Sequence, residues 1–224
     1  MKKLLFWMVL IVGIVALIGS CAKKDEDTAA TAAADNTTST DNTTSTTSYI
    51  STTTTASGSI TMGDDTLSGV YASECLTSAS TIAFFKATGF WASEVNAYGQ
   101  VFVVTGSDNI SIELYAFTDT SCSNLSMSQK TVSDNVTVGS ASGSNYPVTY
   151  NNQTQAITVH TTAAETALET LYSNALNFIV GTPIELPMSG LRYGLWTLSG
   201  TTWYEASSSS ATPTSAGTVP HVKQ

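Results

Sequence analysis

Few residues in this chain stand in a pattern that could perform acid–base or nucleophilic chemistry. Serine is abundant, but no serine stands in the Gly-x-Ser-x-Gly elbow of a hydrolase. His160 lies on the strand face opposite Ile157 and Val159, which predicts a solvent-facing position rather than a general base. We therefore predict that the protein is not an enzyme and has no catalytic residues, because catalysis needs groups in matched pairs.

Metal and cofactor chemistry is equally weakly indicated. Asp64 and Asp65 are adjacent carboxylates, but the Asp-x-Asp-x-Asp-Gly pattern of a calcium loop is absent, which favours an exposed turn. Cys75 and Cys122 have neither CxxC spacing nor clustered histidines, so they do not form a tetrahedral zinc set. We predict no metal and no cofactor.

The stretch with the most specific chemical signature is Ile18-Gly19-Ser20-Cys21. Lys2 and Lys3 precede an apolar run that ends at Ile18, and two small residues then stand before the cysteine. This arrangement resembles the lipobox of bacterial lipoproteins. The resemblance implies that residues 1–20 are a signal peptide, that cleavage occurs before Cys21, and that lipid on Cys21 holds the protein to a membrane.

An uncleaved membrane anchor is the alternative for this N-terminus. The apolar run from residue 4 to residue 18 is shorter than the roughly 20 residues of a spanning helix, and its length suits a secretory signal. In Gram-negative lipoproteins, a residue other than aspartate after the lipidated cysteine permits transfer to the outer membrane. Here that residue is Ala22. The resemblance therefore implies a cell-envelope lipoprotein, with the outer membrane preferred.

An exported lipoprotein folds in an oxidising compartment, where cysteines pair. Once the resemblance assigns Cys21 to lipid, Cys75 and Cys122 remain as an even pair, and we expect a disulfide bond between them. Two buried free thiols are the alternative.

Composition divides the mature chain into three parts. Residues 21–57 hold a charged patch and a Thr/Ser/Asn-rich tract in which residues 35–40 repeat as 41–46, which predicts a disordered tether. Residues 58–206 have globular composition and the length of one domain. Residues 207–224 return to the composition of the tether, and we expect a disordered tail.

The net charge of the chain limits which classes of molecule can be its partners. Of the eight lysines and arginines, Lys2 and Lys3 fall in the signal peptide, so six basic residues remain against 17 acids, a formal net charge of −11. Such a surface repels phosphate backbones, which excludes nucleic acid as a partner. The acidity favours solubility over an acidic binding surface.

The globular part has the pattern of a mainly β domain. Alternating apolar residues between turn residues predict strands at 69–76, 81–90, 100–105, 110–117, 131–139, 146–150, 155–160, 191–198 and 201–206. Thr162 begins a capping-box sequence, and helical spacing of apolar residues predicts one amphipathic helix at about 162–178. We expect a single antiparallel up-and-down barrel or sandwich of about eight strands.

The segment Leu67-Ser68-Gly69-Val70-Tyr71 resembles the Gly-x-Trp opening of lipocalin-like barrels, with Tyr71 in place of tryptophan. Lipocalins carry an arginine on a late strand that stacks over that ring, and Arg192 is the one arginine of this chain. The resemblance covers residues 67–206 and implies a barrel-closure contact between Tyr71 and Arg192, and a cavity for an apolar ligand. An exposed Arg192 with its stem on apolar surface is the alternative.

Two function classes follow. A hollow interior of several hundred Å³ would indicate a lipid-anchored binding module for a small apolar ligand or a partner protein of the envelope. A filled interior would indicate a structural or surface-display lipoprotein without a ligand. The aromatic residues line the cavity in the first case and fill the core in the second: Phe84, Phe85, Trp91, Phe102, Trp196 and Trp203.

Overall fold

The structure is a computed structural model that describes residues 49–224. Its strands are β1 (Ile60–Met62), β2 (Asp65–Leu67), β3 (Val70–Ala72), β4 (Ala97–Val104), β5 (Ile110–Phe117), β6 (Leu125–Val138), β7 (Asn145–Val159), β8 (Ile184–Pro187), β9 (Leu191–Ser199), β10 (Thr202–Ser208) and β11 (His221–Lys223). Its helices are α1 (Ala79–Ala87) and α2 (Thr162–Leu171).

Eight of these strands form a closed antiparallel barrel. They follow chain order around it, as β3, β4, β5, β6, β7, β9, β10 and β11, and β11 pairs back onto β3. The additional strand β8 pairs with the C-terminal half of β7, beyond the part of that edge which β9 occupies. The expected mainly β, up-and-down barrel is confirmed. Closure gives each of the eight barrel strands a partner on both sides, so the barrel itself has no unpaired edge.

The two helices close one end of the barrel. Phe85 of α1 and Leu168 of α2 belong to one buried apolar cluster with the inward-facing Leu114, Met127 and Ile157. The β1–β2 hairpin and an aromatic group fill the other end. Ring centroids there lie 4.5 Å (Phe102), 4.9 Å (Trp196) and 5.6 Å (Tyr71) from that of Trp203.

The strand predicted at residues 81–90 is wrong, because α1 occupies most of that segment. Thr81, Ile82 and Phe85 are β-type residues, but together they form the buried face of α1. Packing against the end of the barrel therefore overrides their intrinsic preference for strand.

The helix predicted at about 162–178 is present but shorter. It ends at Leu171, because Ser173 and Asn174 adopt left-handed backbone conformations with φ of 55° and 56°. A right-handed helix cannot continue through such residues.

The expectation of a disordered tail at residues 207–224 is wrong. Ser207 lies buried within β10, and β11 is inserted between β10 and β3. The composition misleads because β11 is held by backbone pairing on both sides, which requires no apolar pattern of its own.

The last residues of the expected tether, 49–57, are also ordered, on the outer wall of the barrel. The N–H of Ile50 donates to Ser73 O at 3.2 Å, and that of Ser57 donates to Val104 O at 2.9 Å. Gly99 makes room for this segment, since a Cβ there would lie 2.2 Å from Ile50 Cγ1. The predicted signal peptide, Cys21 and the tether up to residue 48 lie outside the described residues.

Candidate functional site

A belt of polar side chains crosses the interior of the barrel between its two apolar ends. Side chains alternate between the two faces of a strand, so every second residue of each barrel strand points inward. These inward residues are apolar at the two ends of the barrel and mostly polar between them. The belt surrounds an interior cavity of about 60 Å³. Its polar lining includes Gln100, Gln129, Thr131, Asn152, Gln155 and Ser207, and its apolar lining is Phe102, Ile112 and Met188.

Arg192 of β9 lies in this belt and is only 4% exposed. Its cross-strand neighbour is Tyr150 of β7, and its Nη1 atom is buried without a hydrogen-bond partner. Burial raises the pKa of the Tyr150 hydroxyl, which therefore stays neutral beside the guanidinium. An arginine in the wall of the cavity with an unused donor is a binding group for an acceptor or an anion.

The predicted contact between Arg192 and Tyr71 is wrong. The cation over the Tyr71 ring is Lys223, whose Nζ lies 5.9 Å from the ring centroid. Lys223 reaches the ring because β11 places it directly opposite Tyr71. The two residues are apart because β10 and β11 separate β9 from β3. The alternative of an exposed Arg192 is wrong as well, because Arg192 shares the inward face of β9 with Trp196 and is buried.

Glu205 of β10 also lines the interior cavity. Its Oε1 atom is buried and has no hydrogen-bond partner. Burial raises the pKa of this carboxyl to about 7, although Ser207 and the positive charge of Arg192 both favour the ionised form. Neither Arg192 Nη1 nor Glu205 Oε1 has a hydrogen-bond partner, so these two atoms are not bonded to each other. The cavity wall therefore carries a basic and an acidic side chain, each with one unpaired polar atom.

Gln129 supplies a third unpaired atom. Its amide nitrogen donates to Thr131 Oγ1 at 3.3 Å, and its Oε1 is buried without a partner. Because buried polar atoms are nearly always bonded, these three atoms are left to pair with water or a ligand in the cavity, Arg192 Nη1 as a donor and the two Oε1 atoms as acceptors.

His221 of β11 supports the same belt. It is 1% exposed, and its ring nitrogens lie 3.3 Å from Trp203 O and 3.3 Å from Gln100 Oε1. Burial lowers the pKa of the imidazole to about 4, so the ring is neutral at neutral pH. The imidazole joins the closing strand to Gln100 in the cavity wall.

A second glutamate, Glu113, lies on the opposite face of the barrel wall and is 3% exposed. Thr52 Oγ1 and Tyr115 OH each donate to it at 2.5 Å, Ser111 Oγ donates at 3.3 Å, and Thr54 Oγ1 also donates. We call this group of four hydroxyls on one carboxylate the outer clasp. It binds residues 49–57 to the barrel and leaves neither carboxylate oxygen unpaired.

Among the remaining predicted residues, Phe102 lines the cavity and the others do not. The Sγ atoms of Cys75 and Cys122 are joined at 2.09 Å, so the expected pairing is present in the structure. His160 is half-buried, and its Nε2 lies 3.1 Å from Ser128 Oγ. Asp64 and Asp65 are exposed at the β1–β2 turn, and the aromatic residues are buried apart from Phe84.

Sequence reasoning missed Glu205, Gln129 and His221 as site residues. The alternation of side chains along β10 could have identified Glu205. This residue stands two positions from Trp203 and two from Ser207, and therefore shares their inward face. Nothing comparable marks His221, which sits in a strand of three residues.

No group of three or more potential metal ligands is clustered anywhere in residues 49–224. Within the same residues, no helix combines the length and the apolar character needed to cross a bilayer. No protein-family model matches the chain, and no curated protein matches its sequence.

Proposed function

We propose that this protein is a lipid-anchored lipoprotein of the bacterial envelope whose tethered barrel is a non-enzymatic binding module for a small polar molecule. The observation that carries the binding half of the proposal is the interior cavity, on which Arg192, Glu205 and Gln129 each leave one polar atom unpaired. The lipobox resemblance at Cys21 supports the anchor, and Ala22 supports the outer membrane as its destination.

The cavity favours a polar occupant over the apolar ligand that a lipocalin-like barrel suggests. Pockets for drug-sized ligands measure about 300–1,000 Å³, whereas this cavity measures about 60 Å³. Aromatic side chains fill one end of the barrel and the helices close the other. An apolar molecule would also leave Arg192 and Glu205 desolvated without partners, which is unfavourable.

Surface display is the second candidate function, and the outer clasp favours it. Because Thr52 and Thr54 are bound to the wall at Glu113, the chain enters the domain at one fixed place on the side of the barrel. A display domain needs such a fixed point of attachment, and its exterior would then meet a partner protein of the envelope.

The anchor is tested by membrane fractionation of cells that express the full chain. Cys21→Ala should release the protein from the membrane pellet, because no lipid remains to hold it. Ala22→Asp is the matched control, since it keeps the lipidated cysteine and should move the protein to the inner-membrane fraction. Sedimentation of an uncut Cys21→Ala protein with membranes would show that the N-terminus is an uncleaved anchor.

The polar character of the site is tested with an apolar probe. The fluorescent amine 1-aminoanthracene should show no saturable binding to the purified lipoprotein beyond that to detergent alone. Saturable binding with displacement by a fatty acid would contradict a polar site and favour an apolar ligand.

A further inference from the structure

The unpaired atoms of the interior cavity differ in what they need from a bound molecule. Arg192 Nη1 is a donor and carries positive charge, so it needs an acceptor. Glu205 Oε1 and Gln129 Oε1 are acceptors, so both need donors. A simple anion satisfies the first of these groups and repels the second, while a simple cation does the reverse.

The side chains of Arg192 and Glu205 bring opposite charges to the cavity wall. Arg192 is 4% exposed, its charge acts on the carboxyl of Glu205, and Arg192 Nη1 and Glu205 Oε1 are not bonded to each other. In a region of low dielectric, each charge is stabilised by an opposite charge close to it. A molecule that carries both charges a few atoms apart would stabilise Arg192 and Glu205 at once.

The volume limits the size of that molecule. A cavity of about 10–15 Å³ is enough to admit one water, so a cavity of about 60 Å³ admits a molecule larger than water but much smaller than a drug-sized ligand. Phe102, Ile112 and Met188 leave one apolar side to the cavity, which suits a methylene or methyl group.

We propose that the interior cavity binds a small zwitterion of the α-amino acid class, with its carboxylate on Arg192 and its ammonium group on Glu205 and Gln129. This inference rests on the proposed function, in which the barrel holds a small polar molecule. Glycine, which has five non-hydrogen atoms, is the probe that fits the volume.

The test is isothermal titration of the lipidated full chain in detergent at pH 8 with three probes: glycine, acetate and methylammonium. Glycine should bind at least tenfold more tightly than either singly charged probe. Acetate or methylammonium binding as tightly as glycine would overturn the zwitterion assignment and leave the proposed function standing. Binding of none of the three would overturn both, and would leave water as the occupant of the cavity.

Glu205→Gln separates the two charges in this test. The variant keeps the shape of the side chain and removes the negative charge, so glycine should bind at least tenfold more weakly while acetate binds as well as before or better. Glu113→Gln is the matched control, because it makes the same chemical change in the outer clasp and should leave glycine affinity unchanged. An equal loss of glycine affinity in both variants would contradict a direct contact with Glu205.

The unmodified protein offers an independent measurement that does not depend on a variant folding. Burial raises the pKa of Glu205 to about 7, so this carboxyl gains its charge between pH 6 and pH 8. Glycine stays zwitterionic over that interval, and its affinity should rise severalfold while that of acetate falls. A glycine affinity that is the same at pH 6 and pH 8 would overturn the role given to Glu205.

Discussion

Two glutamates of this barrel have carboxyl groups in contrasting surroundings: Glu113 is 3% exposed, and Glu205 is half-buried with a buried Oε1 atom. Glu113, on the outer face, accepts hydrogen bonds from four hydroxyl groups in the outer clasp. Glu205, on the inner face, has an unpaired Oε1 and a pKa that burial raises to about 7. The comparison shows that the supply of donors separates a carboxylate that holds the framework together from one that is available to a ligand.

The same substitution should therefore change stability in opposite directions at the two sites. At pH 8, Glu113→Gln should lower the free energy of unfolding by about 3 kcal/mol, because charge-assisted hydrogen bonds are lost and an amide NH₂ faces hydroxyl donors. Glu205→Gln should raise it by up to about 3 kcal/mol, because the folded state no longer holds a charge whose pKa is raised from 4.5 to about 7. Urea unfolding at pH 8 measures both.

Glu185→Gln is the control for that pair, because Glu185 is exposed and its substitution should leave the free energy of unfolding unchanged. A loss of stability of similar size at Glu113 and Glu205 would mean that the two carboxylates play the same structural role.

The contributions of Glu205 and His221 to the free energy of unfolding change in opposite directions as pH is varied. The folded pKa of Glu205 is raised, so its contribution to stability falls as pH rises from 4.5 to about 7. The folded pKa of His221 is lowered, so its contribution falls as pH drops from 6.5 to about 4. Each effect is about 1.4 kcal/mol per pH unit, and in the shared interval they cancel.

Replacing one of the two groups should reveal the pH dependence of stability that the other group causes. Between pH 4.5 and 6.5, His221→Gln should lose stability relative to the unmodified protein as pH rises, and Glu205→Gln should lose it as pH falls. Denaturant unfolding at several pH values measures these slopes. Parallel curves for the two variants would contradict the opposition between Glu205 and His221.

The patterns that the sequence did predict were local. β5 has the predicted bounds, Ile110–Phe117. The signal is that Ile110, Ile112 and Leu114 alternate with Ser111, Glu113 and Tyr115. The predicted strands 191–198 and 201–206 leave Ser199 and Gly200 between them as the hairpin turn. The turn lies one residue later, at Gly200 and Thr201, because Ser199 pairs with Thr202. Gly200 has the left-handed φ of 59° that such turns favour. These features depend on neighbours in the chain, and neighbours are visible in a sequence.

The interior cavity could not be predicted, because it depends on which strands face each other across the barrel. Alternation could place Arg192 and Glu205 on inward faces, but not bring them to the same level of the interior. Arg192 was instead assigned to Tyr71, since the polar composition of the C-terminal segment concealed β11 and Lys223. A three-residue strand held by backbone pairing leaves almost no trace in side-chain pattern.

The smallest predicted effect concerns one hydroxyl of the outer clasp. Thr54→Val should lower the free energy of unfolding by about 1 kcal/mol, because Thr54 Oγ1 donates to Glu113 and accepts from Lys130 Nζ at 2.9 Å. Thr53→Val is the matched control, since Thr53 is exposed and should tolerate the change. The loss should shrink in a Glu113→Gln background, and an undiminished loss there would contradict the contact.

The position of β11 has a consequence for the order in which the chain can fold. Tyr71 of β3 meets Lys223 of β11, so the seam of the barrel joins residues about as far apart in sequence as the domain allows. Because the chain is synthesised from its N-terminus, the edge of β3 that pairs with β11 stays unpaired until residue 223 has been made. Pairings of such long range are slow to form. The barrel can therefore close only after synthesis has delivered nearly the whole chain.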